Sequence, residues 1–208
     1  METSHDGAAY NPAPNTWRKL PTAPLSLRRD ASGAWTGRDL VVAGGFTFRP
    51  DDTFKPFRDA ASYNPSTRKW RKLPPMPRRR WGATAVWDGK EILFIGGFTG
   101  TPRQLAVHGM AYNPATNRWR WLPKMAYTRS GFAAVWTGRQ MLVWGGLTAA
   151  NTAPAYGEAY NPATNAWTVL PAAPLRGRAA PVAVWTGRQL IVWGGSGFTD
   201  GAAYTPAR

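Results

Sequence analysis

Short apolar segments recur along the chain, and turn residues bound each of them. Residues 133–136 (Ala-Ala-Val-Trp) are apolar throughout and too few for a helix, so they predict a buried strand. Thr137-Gly138 follows, and a two-residue X-Gly pair between apolar runs predicts a tight hairpin. Residues 139–144 predict a second strand, which ends at a double glycine where a side chain would clash with neighbouring backbone.

Two further strands complete this unit. Residues 111–112 end a third predicted strand, and residues 113–117 (Asn-Pro-Ala-Thr-Asn) predict a turn. Proline suits position i+1 of such a turn, and asparagine tolerates a left-handed conformation. Residues 119–122 predict the fourth strand, which Pro123 ends. The unit therefore consists of four short strands.

The unit is repeated along the chain, and several independent markers register its copies. A Tyr-Asn-Pro sequence begins at Tyr10, Tyr63, Tyr112 and Tyr160. A tryptophan follows seven residues later, at Trp17, Trp70, Trp119 and Trp167. The next marker is a Leu-Pro pair, at Leu20-Pro21, Leu73-Pro74, Leu122-Pro123 and Leu170-Pro171. A second tryptophan stands at Trp35, Trp87, Trp136 and Trp185. The double glycines are Gly44-Gly45, Gly96-Gly97, Gly145-Gly146 and Gly194-Gly195.

These markers predict one domain over residues 1–208, with units at about 7–45, 59–97, 109–146 and 157–195 and a partial fifth at 201–206. Four strands per unit and a period of about 50 residues are typical of β-propeller blades. At its glycine, tyrosine and tryptophan markers the chain resembles the Kelch repeat family. The resemblance implies an all-β, Kelch-like β-propeller with four blade equivalents of four antiparallel strands.

The way in which the propeller closes is left open by the repeat. The chain begins with strands three and four of a unit and ends with strands one, two and three, so N- and C-terminal strands could close the ring by sharing one blade. Residues 7–10 and 201–204 are both Gly-Ala-Ala-Tyr and would compete for one strand position. A partial ring completed by oligomerisation and a piece of a longer gene product are the other two arrangements. Kelch propellers usually have six or seven blades, so four is a departure from the family.

The composition adds a strong positive charge. Lys and Arg number 26 against 11 Asp and Glu, which gives a formal net charge of +15 and favours anionic partners. A solvated basic surface is the alternative interpretation. The chain has no cysteine, which excludes disulfides, thiolate metal sites and cysteine nucleophiles. No apolar run approaches the roughly 20 residues of a membrane span. Residues 1–12 lack the pattern of a secretory signal, so we expect a soluble protein whose compartment is unknown.

Strand alternation predicts two loop faces. The X-Gly hairpins and the Asn-Pro turns lie on one face, and their near identity between units predicts a structural role. The loops of the other face differ from unit to unit; they are residues 46–57, 98–108, 147–157 and 196–200. Variable loops on a repeated framework are the usual place for binding.

A basic position recurs on this variable face. Seven residues before each second tryptophan, where the first strand begins near the axis, stands an arginine: Arg28, Arg80, Arg129 and Arg178. Because guanidinium groups bind carboxylate and phosphate bidentately, four of them around an axis predict an anion-binding mouth. Arg49 and Arg103, in the first two variable loops, join this candidate ligand site. The alternative is that each repeated arginine pairs with backbone carbonyls or with the turn of a neighbouring blade.

No catalytic or metal-binding constellation is predicted. His5 and His108 are isolated, and no metal-ligand or phosphate-loop spacing is present. The acidic residues Asp51, Asp52 and Asp59 have basic neighbours and predict an internally neutralised loop. Residues 78–81 (Arg-Arg-Arg-Trp) resemble a nucleic-acid patch with a stacking aromatic, but one such loop is weak support.

The expected function is non-catalytic recognition of a protein or a glycan, including an anionic one, through the variable loops and the arginines. No cofactor is expected. Two alternatives stay open: an enzyme that epimerises, isomerises or hydrolyses an acidic sugar, as implied by sialic-acid mutarotases of similar fold, and a structural, self-assembling repeat protein. Nucleic acid is the least favoured partner, and a homo-oligomer is expected if the ring is incomplete.

Overall fold

The computed structural model describes residues 7–51, 53–100 and 104–206, and this part of the chain contains strands and turns without a helix. It therefore has no helix that is long and apolar enough to cross a membrane. Numbered in chain order, the strands are β1 (Ala8–Asn11), β2 (Thr16–Lys19), β3 (Ser32–Trp35), β4 (Leu40–Ala43), β5 (Phe46–Phe48), β6 (Phe54–Pro56), β7 (Ala60–Asn64), β8 (Lys69–Leu73), β9 (Thr84–Trp87), β10 (Ile92–Ile95), β11 (Phe98–Thr99), β12 (Gln104–Leu105), β13 (His108–Asn113), β14 (Arg118–Lys124), β15 (Arg129–Trp136), β16 (Met141–Thr148), β17 (Tyr156–Asn161), β18 (Ala166–Ala172), β19 (Val182–Trp185), β20 (Leu190–Trp193) and β21 (Gly201–Tyr204).

Three antiparallel four-stranded sheets form complete blades. Blade 1 has the order β3-β4-β7-β8, blade 2 the order β9-β10-β13-β14 and blade 3 the order β15-β16-β17-β18. The N-terminal hairpin is β1-β2, and the C-terminal sheet is β19-β20-β21. Two small hairpins, β5-β6 and β11-β12, extend the first two variable loops. The prediction of an all-β propeller built from four-stranded units is confirmed.

The two ends of the chain do not share a blade. In the described residues, β1 pairs with β2 and β21 pairs with β20, and the two sheets remain separate. Closure of the ring through one common blade is therefore not found. The physical reason lies in the duplicated Gly-Ala-Ala-Tyr sequence, because each copy already pairs with its own neighbouring strand.

Apolar side chains pack between successive blades. Ile92 and Phe94 of blade 2 are buried against Val41 and Ala43 of blade 1, together with the half-buried Trp119. Equivalent clusters lie between blades 2 and 3 and between blade 3 and the C-terminal sheet. Alternation along each strand thus supplies both faces of a blade with core residues.

The outer strands are joined by a repeated hydrogen bond that spacing alone did not predict. The indole N–H of Trp70, Trp119 and Trp167 donates to the proline carbonyl at the end of the preceding outer strand; the acceptors are Pro21 at 2.8 Å, Pro74 at 2.8 Å and Pro123 at 3.1 Å. The same tryptophan lies about 5 Å from the tyrosine of its own unit. The Trp and Leu-Pro markers therefore connect neighbouring blades.

Replacing one of these indoles should cost about the value of one hydrogen bond. For Trp119→Phe we expect the free energy of unfolding to fall by about 1 kcal/mol or more, because the Pro74 carbonyl loses its donor. Urea unfolding followed by tryptophan fluorescence and circular dichroism measures this. Trp121→Phe, on the same strand but exposed, is the control and should change stability less. Equal losses in the two variants would contradict the assignment.

Candidate functional site

The four repeated arginines share one contact. Each guanidinium donates to the carbonyl of the first glycine of its own unit's double glycine, 16 residues further along the chain. The donor and acceptor pairs are Arg28 to Gly44 at 2.8 Å, Arg80 to Gly96 at 2.7 Å, Arg129 to Gly145 at 3.1 Å and Arg178 to Gly194 at 3.4 Å. All four arginines therefore make the contacts with backbone carbonyls that the alternative interpretation of their spacing predicted.

Three of the four arginines also contact a carboxylate. Arg28 binds Asp59 through two hydrogen bonds of 2.8 Å. Arg129 contacts Glu158 at 2.5 Å, with both side chains fully buried. Arg178 contacts Asp200 at 2.5 Å, and its guanidinium lies over the ring of Phe198. Arg178 holds the pKa of the Asp200 carboxyl below its usual value, chiefly through their hydrogen bond.

Arg80 is the exception. Its side chain is buried, with the residue 2% exposed, and it donates to the carbonyls of Gly96 and His108 at 2.7 Å each. Its Nε atom has no hydrogen-bond partner, and no carboxylate within residues 7–51, 53–100 and 104–206 pairs with it. Burial, and secondarily the charge of Arg78, lowers the pKa of Arg80 to about 10. A buried cation without a counter-charge is costly and favours an anion from outside.

The sequence shows why Arg80 differs. The residue four positions before the strand tyrosine is Asp59 in one unit and Asp200 in another, and both bind the arginine of their unit. In blade 2 that position is His108, whose backbone carbonyl takes the contact. The departure from the repeat therefore removes a carboxylate from this arginine.

Arg80 borders a groove on the variable face. The groove has a volume of about 450 Å³, and its lining includes Arg78, Arg80, Gln104, His108 and Trp121. Trp121 is 47% exposed, and its ring lies edge-on to the imidazole of His108 at 6.2 Å between centroids. An aromatic face beside several polar groups and a cation is typical of a small-ligand site.

A second basic groove lies next to the first along the chain. Its volume is about 300 Å³, and its charged lining residues are Arg49, Lys55, Arg58, Asp59 and Arg79. Arg79 lines this groove, whereas its neighbours in sequence line the Arg80 groove, so residues 78–80 border both. Two grooves bordered by one arginine run could serve a ligand longer than a single small molecule.

The remaining candidate residues are placed as follows. Arg49 is exposed and donates to the hydroxyl of Thr53 at 3.3 Å. Arg103, Asp52 and His5 lie outside the described residues. Hydrogen bonds from Thr53 lower the pKa of the Asp51 carboxyl. The part of the chain that the structure describes contains no group of His, Asp and Glu residues arranged to hold a metal ion.

The aromatic residue of the Arg-Arg-Arg-Trp segment is not available for stacking. Trp81 is buried and stacks on Phe98, with 4.6 Å between ring centroids, and it also contacts Phe46 and Phe54. A nucleic-acid base cannot reach this ring in the structure. The three arginines before it remain at the surface or at the groove wall.

The structure thus brings only some of the predicted site residues together. Arg28, Arg129 and Arg178 each belong to a separate unit with its own carboxylate, and ligand binding by them stays a prediction. Arg80, by contrast, meets Arg78, His108 and Trp121 in one groove. Trp121 and Gln104 were not predicted from the sequence as site residues. The signal for Trp121 was a departure from the repeat, since Lys19, Lys72 and Val169 occupy its position in the other units.

Antiparallel four-stranded sheets with an arginine, a double glycine and an outer tryptophan in each unit define a propeller-type repeat protein. Residues 27–77 and 128–174 match the family model of the Kelch motif, so the resemblance to Kelch repeats is confirmed over these two segments. The solved structure of YjhT has the same fold, with a TM-score of 0.74 at 20% identity; the match covers 88% of this chain and 63% of that one.

Curated relatives are N-acetylneuraminate epimerases. The protein from Haemophilus influenzae (strain 86-028NP) is 29% identical over 128 residues, which cover 47% of this chain and 34% of the relative. The protein from Pasteurella multocida (strain Pm70) is 31% identical over 86 residues, covering 40% of this chain and 23% of the relative. The chain therefore spans about a third or less of the length of these relatives.

Proposed function

We propose that this protein binds a carboxylate-bearing sugar in the groove bordered by Arg80. The observation that carries the proposal is the buried Arg80 guanidinium, which lacks the carboxylate that its three counterparts contact. A ligand carboxylate supplies the missing charge. Because binding would pair a charge that is already desolvated, the protein bears much of the desolvation cost before the ligand arrives.

The other groove residues fit the rest of a sugar. Trp121 offers an exposed indole face on which the C–H groups of a sugar ring can pack, and Gln104 and His108 offer hydrogen-bonding groups for hydroxyls. Arg78 adds a second cation at the groove wall. N-acetylneuraminate, named in the curated relatives, is an acidic sugar, and this supports the substrate class.

Epimerisation of the same ligand is the second candidate. His108 lies in the groove beside Arg80 and is a residue type that transfers protons near neutral pH. The name of the relatives favours this activity as well. The two candidates share one site, and they differ in whether the bound sugar is chemically changed.

The test compares N-acetylneuraminate with its methyl ester, which keeps the ring and removes the charge. We expect the wild-type protein to bind the acid at least about tenfold more tightly, since a hydrogen bond to a charged group contributes about 1.5–3 kcal/mol. Arg80→Met and Trp121→Ala should each weaken binding of the acid by a similar factor. Titration calorimetry measures the affinities, and ligand NMR detects any accelerated interconversion of sugar isomers.

Arg139→Met is the matched control, because Arg139 lies on the opposite, hairpin face. The affinity of the Arg139→Met variant for N-acetylneuraminate should equal that of the wild type. Trp121 is exposed, so its variant keeps the test valid even if Arg80→Met unfolds. Equal affinities for the acid and the ester, or unchanged binding by Trp121→Ala, would contradict the proposal. Accelerated isomer exchange would establish the epimerase candidate.

A further inference from the structure

The structure leaves both ends of the blade array uncovered. On the C-terminal sheet, Trp193 is 55% exposed and Ile191 is 39% exposed, whereas the equivalent Trp144 and Leu142 of blade 3 are 4% and 1% exposed. Leu190 and Val192 of the C-terminal sheet provide the cover over blade 3. No following blade in the described residues covers the C-terminal sheet in turn.

The N-terminal end presents the complementary surface. Leu40 and Val42 of β4 occupy the positions of Leu190 and Val192 in their unit, but they are only half-buried. Trp17 of β2 is 70% exposed, whereas its counterparts in the complete blades are half-buried and donate to a proline carbonyl. This end therefore has the covering residues without the blade that they would cover.

A cavity at the C-terminal end matches the missing tryptophan. It has a volume of about 240 Å³ and is lined mainly by apolar residues, including Leu170, Pro171, Leu175 and Tyr204. The core clusters at the two preceding interfaces include an outer tryptophan, Trp119 or Trp167. At the C-terminal interface, no outer tryptophan from the described residues is packed, and the cavity lies beside the tyrosine and proline that such an indole contacts elsewhere.

Space next to the double glycine of the last unit is also left unfilled. A Cβ added to Gly44 or Gly145 would lie 2.2 or 2.7 Å from the carbonyl oxygen of the next unit's arginine. At Gly194 the nearest atom is 3.6 Å away and belongs to Phe198 of the same unit. The position that a following arginine carbonyl would occupy is open there.

We propose that two copies of this chain associate head to tail, with the N-terminal hairpin of one copy completing the C-terminal sheet of the other. Trp17 of the second copy enters the cavity and donates to the Pro171 carbonyl, continuing the bonds made to Pro21, Pro74 and Pro123. Leu40 and Val42 of that copy cover Ile191 and Trp193. The interface thus continues the contact already present between blades.

The repeated Gly-Ala-Ala-Tyr sequence makes the exchange feasible. Residues 7–10 and 201–204 are identical, and Tyr10 and Tyr204 hold the same register in their sheets, opposite Trp17 and Leu190 respectively. One of the two strands can replace the other on β20 with the same side chains on each face. The backbone hydrogen bonds lost and gained are then equivalent, and burial of Trp17, Ile191 and Trp193 provides the net stabilisation.

Electrostatic repulsion between two copies opposes association, and it makes association depend on the salt concentration. Each chain carries a formal charge of +15, so two copies repel each other, and added salt screens that repulsion. We expect dimers or longer assemblies to become more abundant as salt is raised at fixed protein concentration. The proposal is independent of the sugar-binding groove, whose residues lie in blade 2.

The decisive experiment uses two variants that each damage one end. Light scattering should give multimeric masses for the wild type and monomers for both Trp17→Ala and Trp193→Asp. An equimolar mixture of the two variants should form a 1:1 dimer that does not grow, because each still has the end that the other needs. Trp121→Ser, an exposed tryptophan away from both ends, should assemble like the wild type.

Three outcomes would overturn the proposal. A wild-type protein that stays monomeric at every soluble concentration and salt level would exclude association through these ends, whether or not one chain closes on itself. A mixture of the two variants that stays monomeric would show that the contact is not head to tail. Loss of assembly in Trp121→Ser would place the contact elsewhere.

Discussion

Arg129→Met is expected to lower the free energy of unfolding by about 3–5 kcal/mol, the range for breaking a buried ion pair by removing one partner. Arg129 and Glu158 are both fully buried and lie 2.5 Å apart. Removing the guanidinium leaves a carboxylate without its counter-charge. The same substitution also removes the donors to the Gly145 and Tyr156 carbonyls, each 3.1 Å from the guanidinium.

Loss of the Arg129 guanidinium also affects the segment that connects blades 2 and 3. Glu158 also accepts hydrogen bonds from the backbone N–H groups of Ala126 at 2.7 Å and Tyr127 at 3.3 Å. Its orientation therefore fixes the segment that leads into β15. Chemical unfolding of Arg129→Met, monitored by circular dichroism, should show an earlier midpoint.

Two comparison variants make this result specific. Arg129→Met/Glu158→Met should be more stable than Arg129→Met, because the unpaired charge is gone. Arg80→Met should cost less than Arg129→Met, because no described carboxylate is left unpaired by it. If Arg80→Met and Arg129→Met destabilise equally, the distinction between these two arginines is wrong.

The fold could be predicted from the sequence because its markers depend on local chemistry. An X-Gly pair permits a tight hairpin whatever lies around it: Gly138 has φ +92° and nothing within 4 Å of its added Cβ. Apolar runs between such turns then fix the strands and their order. The closure of the array could not be predicted, because residues 7–10 and 201–204 are identical and local preference cannot decide which of them pairs where.

The site was harder to predict because arginine occurs both as a structural residue paired within its unit and as a candidate ligand-binding residue. Spacing identifies Arg28, Arg80, Arg129 and Arg178 as equivalent, but their different partners come from residues about 20–30 positions further along the chain. The sequence places His108 where another unit has Asp59, but only the structure shows that this position contacts the repeated arginine. In a repeat protein, the departures from the repeat are therefore the better indicators of a binding site.

The contacts of the repeated arginines determine how much they contribute to the positive charge that acts outside the protein. Three of the four repeated arginines are neutralised locally by a carboxylate, so they add little to the field outside the protein. The exposed arginines around residues 78–79 and 49 are the ones that face solvent near the two grooves. Near the two grooves, the exposed arginine charge therefore comes from residue 49 in the first variable loop and from residues 78–79 in the segment before β9.

Gly44→Ala is expected to be the other strongly destabilising substitution. Its added Cβ would lie 2.2 Å from the carbonyl oxygen of Arg80, which is backbone and cannot move without separating blades 1 and 2. Gly44 also has φ +67°, in the left-handed region. Strain of about 1–3 kcal/mol and overpacking of about 1–3 kcal/mol add to a loss of roughly 4 kcal/mol in the free energy of unfolding.

Gly37→Ala separates the two contributions. Gly37 has φ +86° and nothing within 4 Å of the added Cβ, so the alanine there meets backbone strain alone. Its loss should stay within about 1–3 kcal/mol. Gly44→Ala should in addition weaken binding of N-acetylneuraminate, since it displaces the backbone that holds the Arg80 guanidinium, whereas Gly37→Ala should leave that affinity unchanged. Equal stability losses in the two variants would show that Arg80 and Gly44 are not in close contact, and the link between blade packing and the groove would fail with it.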